Sequence, residues 1–183
     1  MIDKSTYLKL AENLYTDELI VKASKIELLT FDVDGVLTDG GLYFDHLGQE
    51  SKRFHAQDGH GIKILQSIDV EMMIISGRNS KCVTQRGDEL GIKRIVQGTR
   101  DKLKSFHEQN INLLKDKVCY VGDDTVDIEL LQNVGLSVIV PNSNPILNQL
   151  DFDWITPRQG GYGAIRDVCD LIYFSKIINA KQK

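Results

Sequence analysis

Six short apolar runs limit what this chain can become. They fall at residues 26–31, 70–75, 94–96, 118–121, 136–140 and 153–155, and helical patterns at 59–68, 79–90, 100–113, 125–134 and 144–150 lie between them. The runs do not alternate polar with apolar residues, as strands buried on both faces require. A final pattern over 161–178 sets Ile165, Val168, Cys169 and Ile172 at i, i+3, i+4 and i+7, one apolar stripe of a helix. Strand and helix in alternation predict an α/β fold with a doubly wound parallel sheet. One stretch breaks the rhythm. Residues 40–54 alternate around His46-Leu47-Gly48 and predict a protruding β-hairpin. Residues 1–24 read as a helical extension, helical over 5–24, and residues 179–183 as a flexible tail.

The length of 183 residues suits one domain with a real core, and no repeat or Pro/Gly/Ser linker divides it. Charge narrows the partners. Lys and Arg number 22 against 26 Asp and Glu, a net charge of −4, which leaves no electrostatic footprint for nucleic acid. Cys82, Cys119 and Cys169 are odd in number and form no CxxC pair. They suit packing in a reducing compartment better than a disulfide framework or zinc site. The N-terminal stretch carries acids and no unbroken apolar segment, so it is not read as a secretory signal. No window approaches a membrane span, and the expectation is a cytoplasmic protein with no membrane partner.

In an open parallel sheet, ligands bind beyond the carboxyl ends of the strands. The first run ends in Asp32-Val33-Asp34-Gly35, the second in Ser76-Gly77-Arg78, and the fourth in Gly122-Asp123-Asp124, with Asp127 beyond. Three strands thus deliver acids, a hydroxyl and an arginine to one edge. Asp32 and Asp34 are two residues apart, so both can face the same side. Crowded carboxylates repel, and a hard divalent cation resolves the repulsion. Magnesium, with its preference for oxygen ligands, is the expected cofactor. As turn or cap residues the same acids would need no metal. Lys102 follows Gly98-Thr99-Arg100 and reads as a site residue, against the alternative of a solvated helix lysine. Arg78 is a bidentate donor for carboxylate or phosphate, or else a surface ion pair. The four histidines show no metal-ligand spacing, and Trp154 and the tyrosines read as core.

Residues 32–39, Asp-Val-Asp-Gly-Val-Leu-Thr-Asp, resemble the first motif of the haloacid dehalogenase superfamily, DxDGxxTD. Ser76 matches its second motif, Lys102 its third, and Gly122-Asp123-Asp124-Thr125-Val126-Asp127 its fourth, all in order. The resemblance covers the chain from about residue 26 to 178 and implies a Rossmann-like sheet of haloacid dehalogenase type. It implies Asp32 as nucleophile and Asp34 as general acid and then base. It also implies magnesium held by Asp32, the Asp34 carbonyl and Asp123. Ser76 and Lys102 would bind the phosphoryl oxygens, with Asp124 and Asp127 ordering metal waters and Lys102.

Only 41 residues separate Asp34 from Ser76, too few for a cap domain beside the hairpin and a helix. A capless site is open, so either the substrate is large or neighbouring subunits close over it. Residues 32–41, 54–63, 76–78 and 160–169 closely resemble the 3-deoxy-D-manno-octulosonate 8-phosphate phosphatases of lipopolysaccharide inner-core synthesis. That resemblance implies a sugar-acid phosphate substrate and a homotetramer whose hairpins and C-terminal tails complete adjacent sites. It sets Asp58, Gly59 and Arg78 near the substrate. Alternatively, the Gly160-Gly161-Tyr162-Gly163 turn simply lets the chain pass close to the sheet. The same architecture serves phosphatases of sialic-acid-like nine-carbon sugar acids. Receiver modules of signalling systems also carry a phosphorylatable Asp, a hydroxyl and a Lys on such a sheet, but they have no carboxylate at the position of Asp34.

Overall fold

The computed structural model describes residues 14–181. Helix α1 (Asp17–Ser24) leads into β1 (Leu28–Phe31), a kinked turn over Val33–Leu37, and the hairpin strands β2 (Tyr43–Phe44) and β3 (Glu50–Ser51). Then follow α2 (Ala56–Gln66), β4 (Glu71–Ile75), α3 (Lys81–Leu90), β5 (Arg94–Val96), α4 (Lys102–His107) and β6 (Val118–Gly122). The chain ends with α5 (Ile128–Leu131), β7 (Leu136–Ile139), β8 (Trp154–Ile155) and α6 (Ala164–Lys181). The main sheet has the order β5-β4-β1-β6-β7-β8, every pair parallel. It is the doubly wound sheet that the apolar runs predict.

Its two faces hold two cores. On one, Leu19, Ala23, Ile62, Leu65, Val83, Val168 and Ile172 from α1, α2, α3 and α6 cover Leu29, Phe31 and Val121. On the other, Leu103, Phe106, Leu130 and Leu131 from α4 and α5 cover Leu28, Met73 and Tyr120. Residues along β1 therefore alternate between two apolar layers, which is why its sequence shows no polar face. Each such side chain contributes about 1.5–3 kcal/mol on burial. Cys119 and Cys169 are buried in the packing and Cys82 is half-buried; all three are free thiols. Trp154 packs against the first core and meets Tyr15 edge to face at 5.8 Å. Tyr43 and Tyr162 are exposed, unlike the core tyrosines that the sequence leads one to expect.

Several elements are shorter than their patterns. The helix expected over 100–113 stops at His107, and Asn110 adopts a left-handed φ of 50° that the helix cannot absorb. The helix expected over 144–150 is one tight turn, Leu147–Gln149, because Asn144 caps the Ile146 amide and Pro145 restricts the entry. The last helix is as long as its pattern but shifted three residues, from Ala164 to Lys181, so residues 179–181, expected in a flexible tail, are helical. Ile178 is buried there, while Lys176 and Asn179 bond to Ser24. The first part of the helix expected over 5–24 lies outside the described residues. Among the described residues no helix is long and apolar enough to cross a membrane.

Candidate active site

β1 lies at the centre of the sheet between β4 and β6, in register, with Phe31 opposite Ile74 and Val121. Asp32, Ser76 and Asp123 therefore leave adjacent strands at the same edge. Asp32 is 7% exposed, and its backbone N–H still bonds Val121 across the sheet. Beyond it the chain turns sharply. Gly35 has φ +95°, and a Cβ there would lie 2.0 Å from Asp123 Oδ2. Only glycine gives the turn that shape and lets the second acid approach.

Asp32, Asp123 and Asp127 bring one carboxylate oxygen each within 4.8 Å of one another. Their roles separate by hydrogen bonding. Asp127 is fully occupied: Oδ1 accepts from Lys102 Nζ at 2.5 Å and Tyr120 Oη at 2.6 Å, and Oδ2 from the Asp123 and Asp124 amides at 2.9 and 3.0 Å. Lys102 Nζ also lies 3.0 Å from Asp32 Oδ2. Asp32 Oδ1 and Asp123 Oδ1, by contrast, are buried without a hydrogen-bond partner. Unpartnered buried oxygens on two acids of one cluster are costly unless a cation bridges them. The donor set, hard and anionic, fits a divalent ion that prefers oxygen.

The electrostatics agree. Burial pushes Asp123 up to about 8, and the charges of Asp32 and Asp127 add to it. Burial raises Asp32 to about 6 against the pull of Lys102. Burial would lower Lys102, but Asp32 and Asp127 outweigh it and hold the ammonium protonated. Burial also lifts Tyr120 well above its ordinary value, so it stays a neutral donor to Asp127. Lys102 is 2% exposed, which excludes the solvated helix lysine.

Ser76 is buried at the end of β4, and its Oγ accepts the Arg78 amide at 3.3 Å. Asp124 is exposed, and its carboxylate takes the Thr125 amide at 2.7 Å and Asn144 Nδ2 at 3.1 Å. Its described bonds shape the turn and do not reach Lys102. Arg78 bonds Glu50 at 2.8 Å and lies 3.8 Å from Asp34 Oδ2, facing the acid/base candidate rather than solvent alone. Asp58 is fully buried, pushed up to about 6 by that burial, and accepts the Arg166 amide at the start of α6 at 2.8 Å. Gly59 makes room for Arg86, whose Nη2 would sit 2.5 Å from a Cβ. Within one chain, then, Asp58 and Gly59 pack α2 against its neighbours and have no described contact with Asp32, Asp34 or Asp123.

Three residues at this edge escaped the sequence reading. Lys52 on the hairpin has a side chain only 1% exposed, and its ammonium donates to Asp34 Oδ1. Glu50 lies 3.4 Å from Lys52 and takes Arg78 and Ser80. The run Glu50-Ser51-Lys52-Arg53 looks like a solvated hairpin arm, and only its contacts with Asp34 and the loop after β4 enclose the Lys52 side chain. Asn142 was missed too. It donates to the Gly35 carbonyl and accepts the Gly160 amide, clamping the turn after β1 to the glycine turn.

The haloacid dehalogenase-like hydrolase family model matches residues 101–159. The 3-deoxy-D-manno-octulosonate 8-phosphate phosphatase KdsC of Yersinia pestis is 37% identical over 96% of this chain and 94% of its own length. KdsC of Escherichia coli K12 is 41% identical over 87% of this chain and 85% of its own. A Moraxella catarrhalis 3-deoxy-D-manno-octulosonate 8-phosphate phosphatase, solved with magnesium ion, phosphate ion and KDO, is 34% identical. It superposes with a TM-score of 0.85 over 92% of this chain and 100% of that one. With the four motifs gathered at one sheet edge, this chain belongs to the haloacid dehalogenase-like hydrolases and, within them, to the 3-deoxy-D-manno-octulosonate 8-phosphate phosphatase family.

Proposed function

We infer that the chain is a magnesium-dependent phosphatase that hydrolyses 3-deoxy-D-manno-octulosonate 8-phosphate to the free sugar acid and phosphate. The observation that carries this reading is the pair of buried, unpartnered oxygens on Asp32 and Asp123 beside Lys102. Relatives named for this reaction align over nearly their whole length, which leaves the receiver-module reading without support.

Asp32 attacks phosphorus: a bond forms between its carboxylate oxygen and phosphorus, and the bond from phosphorus to the sugar oxygen breaks. Asp34 gives its proton to the departing alkoxide. Water then attacks the phosphorus of the aspartyl phosphate, passes a proton to Asp34, and frees phosphate and Asp32. Lys102 and Ser76 meet the charge that grows on the phosphoryl oxygens, and Asp127 keeps Lys102 in place. Magnesium would be held by Asp32, the Asp34 carbonyl and Asp123, and supplies neutralising charge between carboxylate and phosphate.

The working unit is a homotetramer in which neighbours close the open site. Leu42, Tyr43, Phe44 and Leu47 on the hairpin, all exposed, support this reading, because an isolated chain gains nothing from them. Gly160 and Gly161 press on the chain's own catalytic turn, and Arg53 donates to the Gly161 carbonyl at 3.2 Å. The glycine turn thus braces its own site, whatever the tail does for a neighbour. Phosphate release with magnesium across sugar-acid phosphates, hexose phosphates, nucleotides and a phosphopeptide tests the substrate. Strong preference for 3-deoxy-D-manno-octulosonate 8-phosphate is the expected result. Preference for a nine-carbon sugar acid would keep the chemistry and overturn the substrate.

A further inference from the structure

The hairpin brings a buried cation to Asp34. Lys52 has 1% of its side chain exposed, and its ammonium meets Asp34 Oδ1 and lies 3.4 Å from Glu50. An amine so enclosed cannot serve as a solubilising charge, and a buried lysine is tolerated only with partners. Its partners are unequal in purpose. Glu50 is anchored by Arg78 at 2.8 Å on Oε1, the oxygen nearest Lys52, and by Ser80 at 2.5 Å on Oε2, both from the loop after β4. Cys82 at the start of α3 adds a contact to the Glu50 carbonyl at 3.4 Å. Glu50 therefore latches the arm to the scaffold, and Lys52 reaches from that arm to Asp34. At the hairpin's base, Thr38 forms a bridge with Phe54. With base and arm both pinned, the ammonium has a defined position.

We propose that Lys52, latched by Glu50, is a positioning residue for Asp34, turning its carboxylate toward the leaving oxygen of the substrate. The proposal rests on the phosphatase reading above. Asp34 follows a strand end and lies in a turn of φ −77° and ψ 112°, outside any helix or strand that would lock its side chain. Its orientation must come from groups that touch it. Arg78, at 3.8 Å from Oδ2, is too distant for a hydrogen bond, which leaves Lys52 as the donor in contact among its described partners. In the first step the proton passes from Asp34 to the sugar alkoxide, and the ammonium faces the carboxylate left behind. In the second, the same carboxylate takes a proton from water. Lys52 itself transfers none.

The test compares leaving groups. A sugar alkoxide needs the proton, whereas the phenolate of p-nitrophenyl phosphate leaves without one. General acid catalysis contributes roughly 10²–10⁴-fold, so losing its aim forfeits a share of that on the sugar substrate alone. Lys52→Met is expected to lower kcat on the sugar-acid phosphate about tenfold more than on p-nitrophenyl phosphate, with a smaller change in KM. Lys52→Arg, which keeps a donor, is expected to restore part of the difference. Glu50→Gln, which loosens the latch but leaves Lys52 in place, is expected to show the same selectivity in weaker form. Equal losses on both substrates, with circular dichroism and melting unchanged, would overturn the proposal and leave Lys52 a support of the hairpin. Should Lys52→Met fail to fold, the Glu50→Gln and Lys52→Arg comparisons decide by the same ratio. Wild-type turnover of the two substrates tests the phosphatase reading separately, since its failure appears before any variant is made.

Discussion

The floor of the site, where β1 and β6 end, is held from every side. Asp127 takes four donors, Lys102 is enclosed between two carboxylates, and Gly35 lets Asp123 approach to contact. The hairpin above it has two short strands joined by two residue pairs, with Leu42, Phe44 and Leu47 open to solvent. Its loop is closed by Asp45, which takes the Leu47 and Gln49 amides, and its grip on the site passes through Glu50 and Lys52. The floor is rigid because the sheet's buried core dictates it. The hairpin is positioned by a few polar contacts and leaves its apolar face for something else. The acids of the floor are fixed by the sheet, whereas Lys52 reaches Asp34 only through the arm's own polar contacts.

Substitutions should separate the floor from the arm. The largest effect belongs to Asp32→Asn: phosphate release should fall roughly 10³-fold or more while circular dichroism is unchanged, as for other nucleophile losses. Next comes Lys102→Met, which leaves Asp127 and Asp32 buried without their cation. A loss of about 3–5 kcal/mol is expected in denaturant unfolding.

Asp58 adds a pH signature on the face behind the site. Burial raises it from 3.8 to about 6, so its contribution to stability is intact below about pH 4 and is lost as pH climbs through 6. Relative to wild type, Asp58→Asn should gain up to about 3 kcal/mol between pH 4 and pH 7, read from melting curves. An unchanged difference would mean that the carboxylate is not desolvated in solution. Gly160→Ala should cost about 1–3 kcal/mol and lower activity, because its Cβ would fall 1.7 Å from the Gly35 carbonyl oxygen and push the catalytic turn. The smallest effect within one chain is Phe44→Ser, worth less than about 0.5 kcal/mol at an exposed position. If it nevertheless lowers the mass measured by light scattering, the hairpin's apolar face is an interface between copies.

Much of the floor was legible in the sequence, for a local reason. Strands buried on both faces read as unbroken apolar runs, so their ends could be counted off and the acids at those ends placed at one edge. Lys102 was legible for the same reason, from its place after a strand. The arm was not. Lys52 and Glu50 carry the residue types of any exposed hairpin, and their burial depends on a fold-back that no local pattern records. Asp58 shows the same limit from another side: the resemblance sets it near the substrate, while within one chain its partner is the Arg166 amide, 108 residues away, a contact that no local pattern records. Helix ends at His107 and Lys181 depended on a left-handed Asn110 and on contacts with Ser24, and these too are invisible to periodicity.

Borohydride trapping during turnover reads the nucleophile itself. With magnesium and 3-deoxy-D-manno-octulosonate 8-phosphate present, reduction of the aspartyl phosphate should convert residue 32, and no other acid, to homoserine in the peptide map. Conversion at a different acid, or phosphate release with no trapped residue at any time in the reaction, would contradict catalysis through Asp32.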